Sequence, residues 1–167
     1  PNTSTELIMS LPEETKDSFL EMLSRILNSG VQNIVICTLM ALKGTMISSR
    51  EYAERYRYMI RHRIVPRCFS EVNGKKIFET EEVVVGTKEM PFEDYISLRG
   101  LTFIITAFAS SWEMFPLRRF MLERNVNIAE WIFGIQKRIS GFPEIQAVVE
   151  AFLQETKDEL YPSREAI

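Results

Sequence analysis

The sequence contains little cysteine and almost no histidine. Its 167 residues include two cysteines, Cys37 and Cys68, and a single histidine, His62. The two cysteines are far apart in the sequence, so they cannot by themselves hold a zinc ion or an iron–sulfur cluster. Scattered cysteines of this kind usually act as small hydrophobic residues, and we predict that both thiols are free and buried. His62 lies in a basic stretch, which favours a solvated side chain over a general base or a metal ligand.

Long hydrophobic runs and an excess of basic charge are also absent. The longest apolar run, Leu101–Ala109, has about half of the roughly 20 residues that a membrane-spanning helix needs. The net charge is -3 and the isoelectric point is near 5.4, so nothing in the overall charge favours binding to nucleic acid or to an anionic membrane. The chain is 46% hydrophobic and 26% charged, as is usual for globular proteins. We predict a folded, soluble, cytoplasmic protein.

The first 48 residues have the pattern of a strand, a helix and a second strand. Thr5–Leu11 is short and apolar, which favours a strand. Phe19–Leu27 carries apolar residues at helical spacing, and Gly30 is suited to the left-handed position that ends a helix. Val31–Met40 contains a run of β-branched residues, which predicts a strand covered on both faces. This βαβ order predicts two parallel strands with a right-handed crossover.

Two residues are candidates for the cap at the start of this helix. Ser10 and Glu13 have the spacing of a capping box, in which each side chain binds a backbone N–H of the other residue. Thr15 is the alternative N-cap if the preceding turn is longer.

The middle of the chain predicts a short helix and a β-hairpin. Ser48 or Ser49 can cap the short helix. Asn73 and Gly74 form the dipeptide most typical of a tight hairpin turn. We therefore predict that Val65–Val72 pairs with Lys76–Val84 in antiparallel orientation.

The hairpin also carries many charged residues. Its arginines could bind a carboxylate or phosphate group of a substrate, but a solvated face or ion pairs across the hairpin are favoured. The residues concerned are Arg55, Arg57, Arg61, Arg63 and Arg67, with Glu79, Glu81 and Glu82 on the other strand.

The last third of the chain predicts helices. The first helix follows Pro91. A strand is the alternative for Leu101–Thr106, because this segment contains β-branched residues. The aromatic residues of this region are assigned mainly to a core or an interface, with the wall of a substrate pocket as the alternative. We expect the final residues, Tyr161–Ile167, to fray. Further helices are predicted near Pro116–Arg124, Ile128–Ile139 and Phe142–Glu159.

Several short motifs together carry a resemblance to a known family. The corner from Ser10 to Thr15 (SLPEET) matches a Gly-Leu-Pro-Gly-Glu-Thr corner, and Leu42–Thr45 (LKGT) follows the second predicted strand. Tyr58–Arg63, residues 78–85 and Phe92–Tyr95 add weaker matches. The chain thereby resembles, over about residues 5–110, the later half of a radical S-adenosylmethionine barrel. The most similar members are of the cobalamin-binding type, such as anaerobic magnesium-protoporphyrin IX monomethyl ester cyclases.

The resemblance implies a binding site for S-adenosylmethionine at the ends of the two strands. Ile8 matches the apolar position that packs on adenine, and Leu42 matches the stretch whose backbone meets the adenine edge. Ser10 and Glu13 match the small residue and the terminal acid of the pattern G-x-I-x-G-x-x-E. Glu6 and Ser10 stand where that pattern has glycine, so their side chains could crowd the nucleotide.

The resemblance further implies that the chain is a C-terminal fragment of a longer iron–sulfur enzyme. The cluster motif C-x-x-x-C-x-x-C does not occur in this sequence, so no catalytic residue or metal ligand is assigned to it. A [4Fe-4S] cluster, S-adenosylmethionine and, as an option, cobalamin are expected in the full-length protein and not on this fragment. The fragment is expected to be inactive alone.

The predicted fold is α/β and has three regions. Residues 1–48 form a partial (β/α) barrel remnant, residues 49–90 a connector with the β-hairpin, and residues 91–167 a helical C-terminal region. The expected partners are the missing N-terminal part, a small-molecule substrate and, for the isolated fragment, a second copy. The alternative function is a non-enzymatic module that binds another protein through its helical region.

Overall fold

The computed structural model describes residues 3–167 as a mixed α/β fold, about half of it helical. Its strands form two two-stranded sheets, and the described residues contain no closed barrel. The strands are β1 (Ser4–Met9), β2 (Asn33–Thr38), β3 (Met59–Val72) and β4 (Lys75–Gly86). The α-helices are α1 (Lys16–Asn28), α2 (Arg50–Tyr56), α3 (Phe92–Ile104), α4 (Phe115–Glu123), α5 (Ile128–Arg138) and α6 (Pro143–Asp158).

The predicted strand–helix–strand unit is present. Strands β1 and β2 are parallel, and Leu7 lies opposite Ile36. Helix α1 begins after Thr15, whose side chain forms a capping box with Ser18. The capping box predicted for Ser10 and Glu13 is therefore wrong, and the alternative cap is confirmed. The cap lies further along the chain because residues 10–14 form a turn between the strand and the helix.

One face of the β1–β2 sheet is buried and the other is open. The open face includes Ile8, which is 45% exposed, and Val35, which is 39% exposed. The prediction that β2 is covered on both faces is therefore wrong for the part of the chain that the structure describes. The buried face packs on α1 in a core that includes Leu7, Met9, Phe19, Leu23, Leu27, Ile34 and Ile36.

Both cysteines are free and exposed. The prediction that the thiols are buried is wrong. Cys37 alternates with two buried residues of β2, Ile36 and Thr38, so its side chain points to the open face. Cys68 lies in the distal part of the hairpin, which has no core around it.

The hairpin is present and longer than predicted. Strands β3 and β4 are antiparallel, and Asn73 and Gly74 between them have φ angles of 52° and 74°. Two positive φ angles are required by a type I′ turn. The pairing is irregular between Ile64 and Phe69, in the segment where Pro66 has no N–H to donate. The base of the hairpin enters the core, whereas residues 66–79 are all exposed.

The region after residue 91 is helical, as predicted. Leu101–Thr106 belongs to α3 and to a π-helical turn at Ile105–Ala109, so the helical alternative is correct there. Tyr161 exchanges two backbone hydrogen bonds with His62, at 2.9 and 2.8 Å, and the expected fraying is wrong at this residue. No helix within residues 3–167 combines the length and apolar character needed to cross a membrane.

Candidate cofactor-binding corner

The candidate site lies where the carboxyl ends of β1 and β2 meet. The carbonyl of Met9 accepts the N–H of Leu39 at 3.1 Å, which holds the two strand ends together. Beyond β2, the Leu39 carbonyl and the Ala41 N–H pair with Val84 and Glu82 of β4 at 2.8 and 2.9 Å. Ligands of parallel sheets bind at the carboxyl ends of the strands. The turn at residues 10–15 therefore lies at the edge where a ligand is expected.

The backbone of this turn is left-handed at two positions. Ser10 has a φ angle of 68° and Glu13 a φ angle of 65°. A residue with a side chain loses roughly 1–2 kcal/mol in this conformation, whereas glycine adopts it freely. These two residues stand where the Gly-Leu-Pro-Gly-Glu-Thr corner has glycine. The chain thus has the backbone of a glycine-containing corner without the glycines.

The side chain of Ser10 faces the core. It is completely buried, and its hydroxyl donates to the sulfur of Met90 at 3.7 Å. The N–H of Met90 in turn donates to the hydroxyl of Thr87 at 3.0 Å. The side chain of Ser10 therefore does not crowd the exposed side of the corner. No pattern in the sequence links Ser10 to Met90, because the two are 80 positions apart.

The acid that the corner holds inward is Glu14. Glu13 is exposed, whereas Glu14 is half-buried and its Oε2 atom has no hydrogen-bond partner. Burial raises the pKa of the Glu14 carboxyl, and hydrogen bonds with the backbone of Leu11 and Ser10 oppose this effect. The pattern G-x-I-x-G-x-x-E directed attention to Glu13. The match to Gly-Leu-Pro-Gly-Glu-Thr could have identified Glu14, because it aligns Glu14 with the glutamate of that motif.

Glu14→Gln should change how stability depends on pH. Because the pKa of Glu14 is raised in the folded state, the folded protein holds more protons than the unfolded chain just above the ordinary value of 4.5. Stability therefore falls as pH rises through this window, and glutamine removes that loss. We expect E14Q to be more stable at neutral pH by less than about 1 kcal/mol, since water screens a half-buried group. Urea unfolding from pH 4 to 8 measures the difference, and parallel profiles would contradict it.

Ile8 and Leu42 both expose their side chains at this end of the sheet. Ile8 is 45% exposed on the open face, and Leu42 is 54% exposed in the loop after β2. Leu42 also borders a cavity of about 370 Å³ between this loop and β4. His62 and Arg164 contribute to the same cavity. The structure therefore places all four predicted site residues at the carboxyl ends of the strands, with Ser10 turned inward.

The predicted ion pairs across the hairpin are confirmed for one arginine. Arg63 lies 2.5 Å from Glu81 on the opposite strand and 3.6 Å from Glu159 at the end of α6. Burial lowers the pKa of Arg63, but its hydrogen bond and charge contact with Glu81, together with Glu159, raise it overall. This arginine therefore joins the hairpin to α6 and is not free to bind a substrate.

The resemblance implies two groups, an adenine and a metal cluster, whose demands on the protein differ. No group of three or more His, Cys, Asp or Glu side chains within residues 3–167 is arranged to hold a metal ion, so the chain itself does not fit an iron–sulfur cluster. The exposed side chain of Ile8, next to the left-handed corner, offers an apolar contact for a ring. No protein-family model matches this chain, and no curated protein matches it.

Proposed function

We propose that this chain is the C-terminal part of a radical S-adenosylmethionine enzyme of the cobalamin-binding type. In this proposal Ile8 packs on the adenine, the backbone near Leu42 meets the adenine edge, and the corner at residues 10–15 holds the nucleotide close to the strand ends. The observation that carries the proposal is the left-handed backbone of Ser10 and Glu13. Two left-handed residues separated by two others stand at both glycine positions of the family corner.

The open face of the β1–β2 sheet supports the same proposal. Parallel sheets are normally covered on both faces, yet Ile8 and Val35 are exposed and no strand of the described residues pairs with the outer edge of β1. We infer that further barrel strands, outside this chain, cover this face and hold the cluster. The parent enzyme would cleave S-adenosylmethionine reductively and use the radical for oxidative cyclisation or methyl transfer. This chain alone is inactive.

Substitutions of Ser10 test the backbone argument. Ser10→Gly should stabilise the fold by up to about 1 kcal/mol, because glycine relieves the left-handed strain. Ser10→Val should destabilise it by about 3 kcal/mol, since a β-branched residue is both strained and too large for this buried position. Ser24→Gly, inside α1, is the control and should destabilise by about 0.5–1 kcal/mol. Urea unfolding measures all three, and loss of stability in S10G would contradict the argument.

The parent protein tests the function itself. We expect the reading frame on the 5′ side of the codon for Pro1 to encode C-x-x-x-C-x-x-C. We also expect the anaerobically reconstituted full-length protein to form 5′-deoxyadenosine from S-adenosylmethionine. Ile8→Ala should raise the KM for S-adenosylmethionine about tenfold, since it removes an apolar contact worth roughly 1–1.5 kcal/mol. Val148→Ala, at an exposed site in the helical region, should leave the KM unchanged. A reading frame without the cysteine motif would refute the proposal.

A second candidate function is a protein-binding helical module. It is favoured by exposed apolar side chains in the helical region, among them Trp112, which is 74% exposed, and Phe142, which is 57% exposed. Ile145 and Val148 are exposed three residues apart on α6, and Phe142 is the residue before this helix. This candidate predicts that Val148→Asp abolishes binding of a protein partner in a pull-down. It also predicts that the full-length protein forms no 5′-deoxyadenosine.

A further inference from the structure

The distal part of the hairpin does not pack against any other segment of residues 3–167. We call residues 67–78 the arm. All of them are exposed, including Phe69 at 74% and Phe78 at 43%. A cavity of about 580 Å³ runs along the arm, and its lining includes Ile64, Phe69 and Phe78. A two-stranded ribbon is at best marginally stable in water without further packing. The apolar side chains of the arm are therefore accessible to a partner.

The strand register places these apolar residues and two charges on one face. Phe69 lies opposite Phe78, and Glu71 lies opposite Lys76. Ile64 is paired with Thr80, two residues from Phe78, so it lies on the same face. This arm face thus presents two aromatic rings at one height along the ribbon. Further toward the tip it presents an acid and a base at one height.

We propose that the arm face binds the arm face of a second copy of this chain. If the two-fold axis runs along the arm, β3 of one copy lies over β4 of the other. Phe69 then meets Phe78 of the second copy, and Glu71 meets Lys76 of the second copy. A two-fold interface must be complementary to itself, so that each such contact occurs twice. The acid and the base at equal height meet this requirement, whereas a face with charge of one sign would repel itself.

The size of the arm face indicates a weak dimer. Two partly exposed phenylalanines and one isoleucine provide roughly 300 Å² of apolar surface in each copy, using about 150–250 Å² for an aromatic side chain. Stable specific interfaces bury about 800 Å² on each side. We therefore expect a dissociation constant in the micromolar range. The dimer goes beyond the proposed function and does not use the open face of the β1–β2 sheet.

Sedimentation equilibrium of the chain at about 10–500 µM tests the dimer. The unsubstituted chain should be a dimer at the upper end of this range. The double variant Phe69→Ser with Phe78→Ser should raise the dissociation constant more than about tenfold. Two controls replace an exposed apolar residue outside the arm by serine. They are Trp112→Ser in the helical region and Val35→Ser on the open sheet face. If V35S dissociates the dimer and the arm variant does not, the arm is not the interface and the proposal is overturned.

A charge exchange tests the orientation of the two arms. Glu71→Lys and Lys76→Glu should each weaken the homodimer about tenfold, because like charges then face each other between copies. An equimolar mixture of the two variants should recover dimers of nearly the original affinity, since opposite charges meet again. Mixing changes neither hairpin internally, so the recovery reports only on contacts between copies.

Three further results would refute the arm dimer. They are an unsubstituted chain that stays monomeric at the highest concentration, a mixture that shows no recovery, and a full-length protein that is monomeric. A monomer would leave the proposal for the cofactor corner intact. Absence of the upstream cysteine motif would refute that proposal and leave the arm dimer intact.

Discussion

Replacing Arg118 by methionine is expected to destabilise the protein by about 2–4 kcal/mol. Arg118 is 3% exposed, and its guanidinium donates to the carbonyl of Val31 at 2.7 Å, to that of Gln32 at 3.0 Å, and to that of Ala109. These hydrogen bonds tie α4 to the segment before β2 and to the π-helical turn. Methionine has a similar length but cannot donate, so three carbonyls lose their charged partner.

The destabilisation is limited because the arginine itself is costly to bury. Burial lowers the pKa of Arg118, and no acidic side chain of residues 3–167 forms a salt bridge with it within 4.0 Å. Methionine removes this cost and so offsets part of the loss.

Urea unfolding at neutral pH measures the effect of Arg118→Met, and Arg119→Met is the matched control. Arg119 is the next residue of α4, but its side chain is 83% exposed and pairs with Glu123 of the same helix. R119M should change stability by less than about 0.5 kcal/mol. Equal effects of the two substitutions would show that the carbonyl contacts do not stabilise the fold.

Ile34→Ala should destabilise the fold by about 2–4 kcal/mol, whereas Val35→Ala should cost less than about 1 kcal/mol. The two residues are neighbours in β2, but Ile34 is 3% exposed and Val35 is 39% exposed. Truncation of Ile34 leaves a cavity between the sheet and α1. Truncation of Val35 removes atoms that already contact water.

The same pair of variants can be compared in the full-length protein. If further barrel strands cover the open face there, Val35→Ala should cost about 1–2 kcal/mol more than in this chain, while the cost of Ile34→Ala stays the same. Thermal unfolding of both lengths measures this difference. Equal costs of V35A in the two proteins would contradict the proposed cover.

Much of the secondary structure was predictable because it depends on neighbours in the sequence. Helical spacing of apolar residues identified α1, and Asn73 with Gly74 identified the hairpin turn. A helix period or a turn dipeptide acts within a few residues, so no distant contact was needed to recognise it.

The predictions that were wrong depended on which distant segment lies nearby. The hydroxyl of Ser10 could cap a helix, but it binds the sulfur of Met90 instead. Cys37 was expected to be buried, but the open side of its sheet leaves it exposed. Tyr161 was expected to fray, but its backbone pairs with His62. Periodicity and propensity contain no information about such contacts.

For the candidate site, the sequence indicated the position and the structure determined the orientation. The motif match directed attention to the turn after β1, and its residues do lie at the carboxyl ends of two parallel strands. Which side chain of the turn faces inward depended on the left-handed backbone of Ser10 and Glu13, which turns Ser10 into the core and leaves Glu14 half-buried. A serine and a glutamate carry no sequence signal for that conformation, which glycine favours most and asparagine and aspartate favour next.

The sequence by itself determined the order of helices and strands, the hairpin turn and the mixed α/β class, because short-range spacing and backbone preference decide these features. Only the tertiary structure decided that one face of the β1–β2 sheet is open, that buried Arg118 donates to three carbonyls, and that the arm is exposed among the described residues. The physical reason is that burial depends on where distant segments pack. Ile34 and Val35 are chemically similar neighbours in β2. Their burial differs only because other segments pack against one side of the strand.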